Sequence, residues 1–194
     1  MKKVGLTGNI GSGKSTASLI FNAMGVPVFN ADSEAKKLYS EEYVKIKINE
    51  LFGNAVFTED GSVDFKKLAN IIFNDKKALQ QVNALIHPLT LKNYKTWLEK
   101  NKGAAYTIHE AAIIFENKLQ HHFDLVITVS APEETRLERI MKRDNLKPKI
   151  IRERIKNQLP ENEKCQLSDF IIVNDGKEML IPQILKINNL ILNK

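Results

Sequence analysis

The chain of 194 residues has almost no cysteine, and Cys165 is its only one. A disulfide framework or a cysteine-rich metal site cannot be built from a single thiol, so a reducing compartment is expected. No apolar run is long enough to span a bilayer. Gly8, Asn9 and Lys14 interrupt the stretch that follows the basic start, so a signal peptide is not expected either. The sequence predicts a cytoplasmic protein.

A long basic tract is also missing, and aromatic residues are not interleaved with basic ones. The net charge is +6, which suits polyanionic partners such as nucleotides. Most lysines are scattered along apparent helices, where a solvated surface is the simpler interpretation. We therefore expect neither nucleic acid nor a membrane as a partner, and we expect a monomer.

A glycine-rich motif stands near the start of the chain. Residues 8–15 read Gly-Asn-Ile-Gly-Ser-Gly-Lys-Ser and match the pattern G-x-x-x-x-G-K-[ST]. A strand pattern precedes them and a helix pattern follows. Glycines such as Gly8, Gly11 and Gly13 let the backbone curl, so that successive N–H groups, including that of Ser12, point at phosphate oxygens. The motif predicts a P-loop for the phosphates of ATP.

Three side chains of this loop have expected roles. Lys14 reaches the β- and γ-phosphates, the Ser15 hydroxyl ligates Mg²⁺, and Thr16 supports a neighbouring phosphate with its hydroxyl or its backbone N–H. The motif does not identify the reaction, because GTPases, ATPases, transporters and small-molecule kinases share it.

The pattern of predicted elements indicates an α/β fold. The β-loop-α-β opening predicts a parallel sheet flanked by helices, of the P-loop NTPase type. From Asp32 to Lys102 helical patterns follow one another, which indicates an inserted helical lobe. Helices are predicted over residues 41–52, 65–73 with Asp64 as N-cap, 78–87, and from Pro88 to 102. Strands are predicted near 4–7, 26–29, 105–109, 125–129 and 170–173.

Two acids follow predicted strands, at the edge where a parallel sheet meets its ligands. Asp32 can face the γ-phosphate, or it can cap a helix that begins near Ser33, and the residues alone favour the cap. Glu110 can hold the Mg²⁺ shell, bind the acceptor, or be a surface acid at a strand end. The residues alone leave these alternatives open.

A charged helix pattern brings two arginines together. Arg139 and Arg143 lie one helical turn apart and share a face, which suits a clamp on the transferring phosphoryl group. Surface ion pairs with Glu134 or Glu138 are the alternative.

Ten short segments of the sequence match known motifs. They are residues 5–16, 28–32, 52–53, 60–61, 86–88, 113–116, 139–144, 154–158, 168–170 and 174–176. In their order and spacing they resemble the dephospho-coenzyme A kinase family nearly end to end. Each short motif after the P-loop is weak alone, whereas the series is specific.

The resemblance implies that ATP, with Mg²⁺, phosphorylates the ribose 3′-hydroxyl of dephospho-CoA, giving CoA and ADP in the final step of coenzyme A biosynthesis. It also implies three parts within one kinase domain of residues 1–194. These are a core of about 1–31, 104–142 and 165–194, a helical acceptor-binding lobe of about 32–103, and a helical lid of about 143–164.

The resemblance assigns residues as well. Asp32 matches the family's catalytic acid and acceptor contact, which reverses the preference for a cap. His87 matches an acceptor-side contact or a packing residue of the lobe, and Glu110 falls on the substrate side. The positions matching nucleotide and phosphate contacts are Arg139, Arg143, Asn174 and Gly176.

Two segments depart from the family pattern. Asn30 stands where the family usually has the first aspartate of Asp-Ala-Asp, so any role of that carboxylate is in question here. Glu110 and Ala112 stand where the family usually has aspartate and proline. Glutamate reaches one methylene further, which favours a water-mediated role over direct metal ligation.

Other P-loop proteins are the alternatives. A kinase acting on a nucleoside or a nucleoside monophosphate is the nearest one. A GTPase-like switch typically carries Asn-Lys-x-Asp after a strand, and residues 117–120 read Asn-Lys-Leu-Gln, without the final acid.

Overall fold

Five parallel strands form the centre of the structure, a computed structural model that describes residues 1–145 and 147–193. The strands are β1 (Lys2–Thr7), β2 (Val28–Asn30), β3 (Tyr106–Glu110), β4 (Leu125–Ser130) and β5 (Phe170–Val173). Their order across the sheet is β2-β3-β1-β4-β5, and every neighbouring pair is parallel. The predicted parallel sheet is confirmed.

Helices connect and follow these strands. They are α1 (Lys14–Ala23), α2 (Ala31–Leu38), α3 (Glu42–Phe52), α4 (Phe65–Asn74), α5 (Lys76–Lys100), α6 (Glu133–Asp144), α7 (Pro148–Lys156), α8 (Glu161–Gln166) and α9 (Leu180–Asn193). Short 3₁₀ turns span Asn54–Val56 and Gln120–His122. Among the residues that the structure describes, no helix has the length and apolar character needed to cross a membrane.

The chain forms two compact units. One consists of Met1–Asn30 and the described residues from Asn101 onward, and its core packs the sheet against α1 and α9. The other, Ala31–Lys100, contains α2 to α5 around its own apolar core, which includes Leu38, Ile48 and Val82. The helical lobe predicted over residues 32–103 has nearly the bounds of this second unit.

Two local predictions in the Ala31–Lys100 unit have different outcomes. Asp64 caps α4 as predicted, because its carboxylate accepts the backbone N–H groups of Lys66 and Lys67. The predicted break at Pro88 is wrong, since α5 runs through the proline without interruption. Pro88 has no N–H for the carbonyl one turn earlier. The turn before Pro88 packs in the unit's core through the buried side chain of Ile86, so tertiary packing favours a continuous helix there.

Candidate active site

The predicted P-loop lies between β1 and α1, and its neighbours fix its curl. Gly8 and Gly13 have positive φ angles of 148° and 97°, a region that side chains rarely adopt. A Cβ on Gly8 would lie 2.3 Å from the carbonyl oxygen of Val129, and a Cβ on Gly13 would lie 2.1 Å from Nδ2 of Asn174. Only glycine fits at these two positions.

The polar groups of the loop gather at the start of α1. Lys14 Nζ donates a hydrogen bond to the Gly8 carbonyl at 2.8 Å, so the side chain folds back over the loop. Ser15 and Thr16 are exposed in the first turn of α1. Ser12 is fully buried, and its Oγ has no hydrogen-bond partner among the described residues. The ammonium group and the hydroxyl of Ser15 thus lie where the P-loop pattern expects phosphates and a metal ion.

Arg139 and Asn174 support the loop from outside. Asn174 Nδ2 donates to the Ser12 carbonyl at 2.7 Å. Arg139 Nη2 donates to the carbonyl and side-chain oxygens of Asn174, at 3.1 and 3.3 Å. Arg139 Nη1 lies 3.4 Å from the carbonyl of Gly11. Both residues predicted to contact the nucleotide therefore hold the backbone of the P-loop in place.

Arg143 and Gly176 lie apart from these contacts. The side chain of Arg143 is 61% exposed and forms an ion pair with Asp144, with Nε 2.7 Å from Oδ1. This pair lowers the pKa of the Asp144 carboxyl, chiefly through the hydrogen bond. Within the described part of the chain, Arg143 thus pairs with neither Glu134 nor Glu138. Gly176 lies in an exposed turn with a φ of 87° and with open space around it.

Glu110 lies beside the start of α1, because the sheet brings the ends of parallel strands together. The register pairs Glu110 with Leu6 of β1, two residues before the P-loop. Its Oε2 accepts hydrogen bonds from Ser18 Oγ and Asn30 Nδ2, both at 2.7 Å. Its Oε1 lies 3.4 Å from Ser15 Oγ. Glu110 is 5% exposed, so the alternative of a surface acid is wrong.

The oxygens of Ser15 and Glu110 fit a magnesium ion. Mg²⁺ in nucleotide sites is held by one or two carboxylates or hydroxyls together with substrate phosphates and waters, not by a complete protein cage. The described residues contain no group of three or more His, Cys, Asp or Glu side chains that could hold a metal.

The segment after α7 is bonded directly to the P-loop. Gln158 Oε1 accepts the backbone N–H of Ile10 at 2.8 Å, and Asn9 Nδ2 donates to the carbonyl of Leu159 at 3.1 Å. Asn9 is 2% exposed, whereas Gln158 and Leu159 are half-buried. The end of the predicted lid and the tip of the phosphate-binding loop therefore form one bonded arrangement.

A buried ion pair completes this junction. Glu116 Oε1 accepts the N–H of Leu159 at 2.9 Å and lies 2.8 Å from Nζ of Lys164. Lys164 is fully buried and also donates to the carbonyl of Ala112 at 2.8 Å. Burial lowers the pKa of Lys164, and the bond to Glu116 opposes that shift. Sequence reasoning missed the roles of Glu116, Gln158 and Lys164. For Lys164 the reason is that the polar sequence of α8 gives no sign of a buried lysine.

A cavity of about 610 Å³ opens beside the same junction. Asn9, Arg136 and Gln158 are among its lining residues. Arg136 is 3% exposed, and its Nε donates to the carbonyl of Ala131 and pairs with Glu161 at 3.2 Å. The cavity belongs to the P-loop end of the site, and sequence reasoning assigned no role to Arg136.

The Ala31–Lys100 unit carries the two remaining predicted residues. Asp32 lies in the first turn of α2 and is exposed. α2 begins at Ala31 and not near Ser33, so Asp32 lies within the first turn of the helix. An acid in the first turn still interacts favourably with the helix dipole. His87 is exposed on α5, next to Pro88.

Known proteins similar to this chain show its family. A model of the dephospho-CoA kinase family (CoaE) matches residues 2–179. A dephospho-CoA kinase of Bacteroides fragilis is 37% identical over 186 residues, which cover 95% of this chain and 90% of that protein. One of Leptospira interrogans is 39% identical over 175 residues, covering 89% and 84%.

A solved structure has the same fold over nearly the whole chain. The crystal structure of TT1252 from Thermus thermophilus matches with a TM-score of 0.89 and 29% identity, covering 97% of this chain and 96% of that one. The chain therefore belongs to the dephospho-CoA kinase family, the kinases that phosphorylate dephospho-CoA with ATP in the last step of coenzyme A biosynthesis.

Proposed function

We propose that residues 8–16 bind the phosphates of ATP with Mg²⁺, and that Asp32 orients the ribose 3′-hydroxyl of dephospho-CoA for attack on the γ-phosphorus. The reaction is the family's ATP-dependent phosphorylation of dephospho-CoA, and its products are CoA and ADP. The observation that carries the proposal is the curled P-loop, with Lys14 folded over it and Gly13 closed against Asn174.

Lys14 and Arg139 stabilise charge on the nucleotide side. Lys14 exchanges the Gly8 carbonyl for oxygens of the β- and γ-phosphates, and it neutralises charge that builds between them during transfer. Arg139 keeps its bonds to Asn174 and the loop backbone, so that the loop holds one shape throughout the reaction. Arg143 exchanges Asp144 for a phosphate oxygen when the lid region closes.

Ser15 and Glu110 hold the magnesium ion. When it is bound, Mg²⁺ neutralises charge on the β- and γ-phosphate oxygens. The Ser15 hydroxyl is exposed and ligates the ion directly. The Glu110 carboxylate would support the ion through water; its Oε2 already accepts from two protein donors, which leaves Oε1 on the side of Ser15.

Asp32 and His87 act on the acceptor. The Asp32 carboxylate accepts a hydrogen bond from the 3′-hydroxyl and aims its oxygen at phosphorus. Because the transition state of phosphoryl transfer is loose, little proton transfer is needed early, and orientation contributes more than basicity. His87 contacts dephospho-CoA away from the reacting atoms, in the helical lobe of about residues 32–103.

The organisation of the domain forms part of the same proposal. Residues of about 143–164 act as the lid, of which Leu146 lies outside the described residues. A monomeric state, a cytoplasmic location and the lack of a nucleic-acid partner stay predictions from the sequence.

Mass spectrometry of the products tests the reaction. The protein is incubated with ATP, Mg²⁺ and dephospho-CoA, and the product is compared by chromatography with authentic CoA, which separates 3′- from 2′-phosphorylation. Parallel reactions contain adenosine or AMP as the acceptor. CoA formation that falls at least about a hundredfold in Lys14→Ala but persists in Lys102→Ala supports the proposal, because Lys102 is an exposed lysine far along the chain from the P-loop. Phosphorylation of adenosine or AMP without CoA formation would overturn it.

A further inference from the structure

Asn30 and Glu110 are neighbours across the sheet. They are register partners in the parallel strands β2 and β3, so the strand pairing itself places their side chains together. Asn30 Nδ2 lies 2.7 Å from Glu110 Oε2. An ionised carboxylate only accepts hydrogen bonds, so the amide must present its nitrogen and not its oxygen to Glu110.

The bond from Asn30 determines which oxygen of the Glu110 carboxylate faces Ser15, the proposed ligand of Mg²⁺. Ser18 Oγ donates to the same Oε2 at 2.7 Å, which gives this oxygen two donors from two different elements. Oε1 is then left on the side of Ser15, 3.4 Å from its Oγ. Glu110 is almost fully buried, so loss of a donor would leave a buried charge poorly solvated and free to turn.

The residue types at positions 30 and 110 suit this bond. A carboxylate at position 30 could not donate to Glu110, whereas an amide can. A carboxylate at position 110 that is one methylene shorter would end farther from position 30. The asparagine amide and the glutamate carboxylate are therefore suited to one another.

We propose that Asn30 is a positioning residue that holds the Glu110 carboxylate in the orientation required for Mg²⁺ at Ser15. The proposal rests on the magnesium site of the proposed function and deepens it. Asn30 does not touch the metal, and the reacting atoms lie elsewhere. Asn30 affects metal binding only by orienting Glu110. This effect should therefore disappear when the carboxylate at position 110 can no longer reach the Asn30 amide.

Binding of Mn²⁺ in the presence of ADP tests this dependence. Free Mn²⁺ is measured by electron paramagnetic resonance for the wild type, Asn30→Ala, Glu110→Asp and the double variant. Asn30→Ala should weaken Mn²⁺ binding about tenfold when Glu110 is present, the size typical of residues that orient metal ligands. In the Glu110→Asp background the same change should cost less than about twofold. Asn22→Ala, which changes an exposed asparagine on α1, is the matched control and should bind like the wild type.

A kinetic measurement separates positioning from folding. In Asn30→Ala the Mg²⁺ concentration that gives half-maximal CoA formation should rise by the same factor, while KM for dephospho-CoA stays unchanged. Asn30→Leu, which keeps the side-chain volume without a donor, replaces the alanine variant if that protein does not fold.

Two results would overturn the proposal. One is Mn²⁺ binding by Asn30→Ala that equals the wild type. The other is that Asn30→Ala weakens binding by the same factor whether Glu110 is intact or replaced in the Glu110→Asp background. Neither result depends on the acceptor, because the binding experiment contains no dephospho-CoA. A wild type that binds Mn²⁺ with ADP but forms no CoA would instead reject the proposed function.

Discussion

Residues assigned to ATP and residues assigned to dephospho-CoA are held in different ways. Lys14, Glu110 and Arg139 each bond to backbone or side chains around the P-loop. Asp32 and His87 are exposed on helices of the Ala31–Lys100 unit. Groups that must stabilise developing charge gain most from being preorganised. Groups that select and orient an acceptor can take their final geometry from the substrate itself.

The predicted lid shows the same contrast within a single segment. Between residues 158 and 164 the chain is bonded to the P-loop and contains the fully buried Lys164. α7 instead rests on a small apolar cluster through Ile151, and its Arg152 reaches Glu133 at the surface. Exposed ion pairs of this kind contribute little to stability. The two parts of the lid should therefore differ in how easily they open.

Asp32→Asn is the strongest test of the contrast between residues assigned to ATP and residues assigned to dephospho-CoA. The change should lower kcat for CoA formation by about 10²–10⁴-fold, the range of orienting and general-base groups. Asparagine keeps the size of the side chain but loses the charge, and its amide can donate where an acceptor is needed. ATP affinity should stay close to that of the wild type, because Asp32 has no assigned contact with the nucleotide.

If Asp32 acts only as a first-turn acid on the helix dipole, the change should cost about 0.3–1 kcal/mol of stability and leave kcat unchanged. Melting temperature is measured alongside kcat. A stable Asp32→Asn protein with kcat within a few-fold of the wild type would remove Asp32 from the catalytic groups.

On the nucleotide side, Lys14→Ala should lower kcat by about 10²–10³-fold, which corresponds to about 3–4 kcal/mol of lost charge stabilisation. The loop should keep its shape, because Asn174 and Arg139 hold it independently of Lys14. Steady-state kinetics with saturating ATP check the effect, and Lys102→Ala serves as the control. Near-normal kcat in a folded Lys14→Ala protein would contradict the assignment of the P-loop.

Hydrogen exchange can sharpen the comparison within the lid. ATP together with dephospho-CoA, or a two-substrate mimic, should slow exchange in α7 about tenfold, because closure adds contacts to a helix that few apolar residues hold. Residues 158–164 should change less than about twofold, since they are already bonded to Asn9, Ile10 and Glu116. Unchanged protection throughout residues 147–164 would reject the lid.

The sequence predicted what depends on local patterns. The P-loop, the parallel sheet and the cap at Asp64 follow from residue types at short spacing, and the structure contains all three. It did not predict the bond from Gln158 to Ile10 or the pair of Glu116 with Lys164, because these residues are 148 and 48 positions apart and no periodicity links them. The helix through Pro88 also needed tertiary packing to decide it.

The smallest effect is expected for His87→Ala. His87 is exposed on α5 and has no assigned contact with the reacting atoms, so its loss should remove binding to dephospho-CoA that is equal in the ground state and the transition state. Such uniform binding changes KM and leaves kcat unchanged. One hydrogen bond of ordinary strength, about 1 kcal/mol, corresponds to a rise in KM for dephospho-CoA of about fivefold. His121→Ala changes an exposed histidine outside the Ala31–Lys100 unit and should leave both constants unchanged.

If His87 only packs within its unit, His87→Ala should lower the melting temperature and leave KM for dephospho-CoA unchanged. A large fall in kcat would place His87 among the groups that act on the transition state, and the distinction between preorganised nucleotide contacts and exposed acceptor contacts would then fail at this residue.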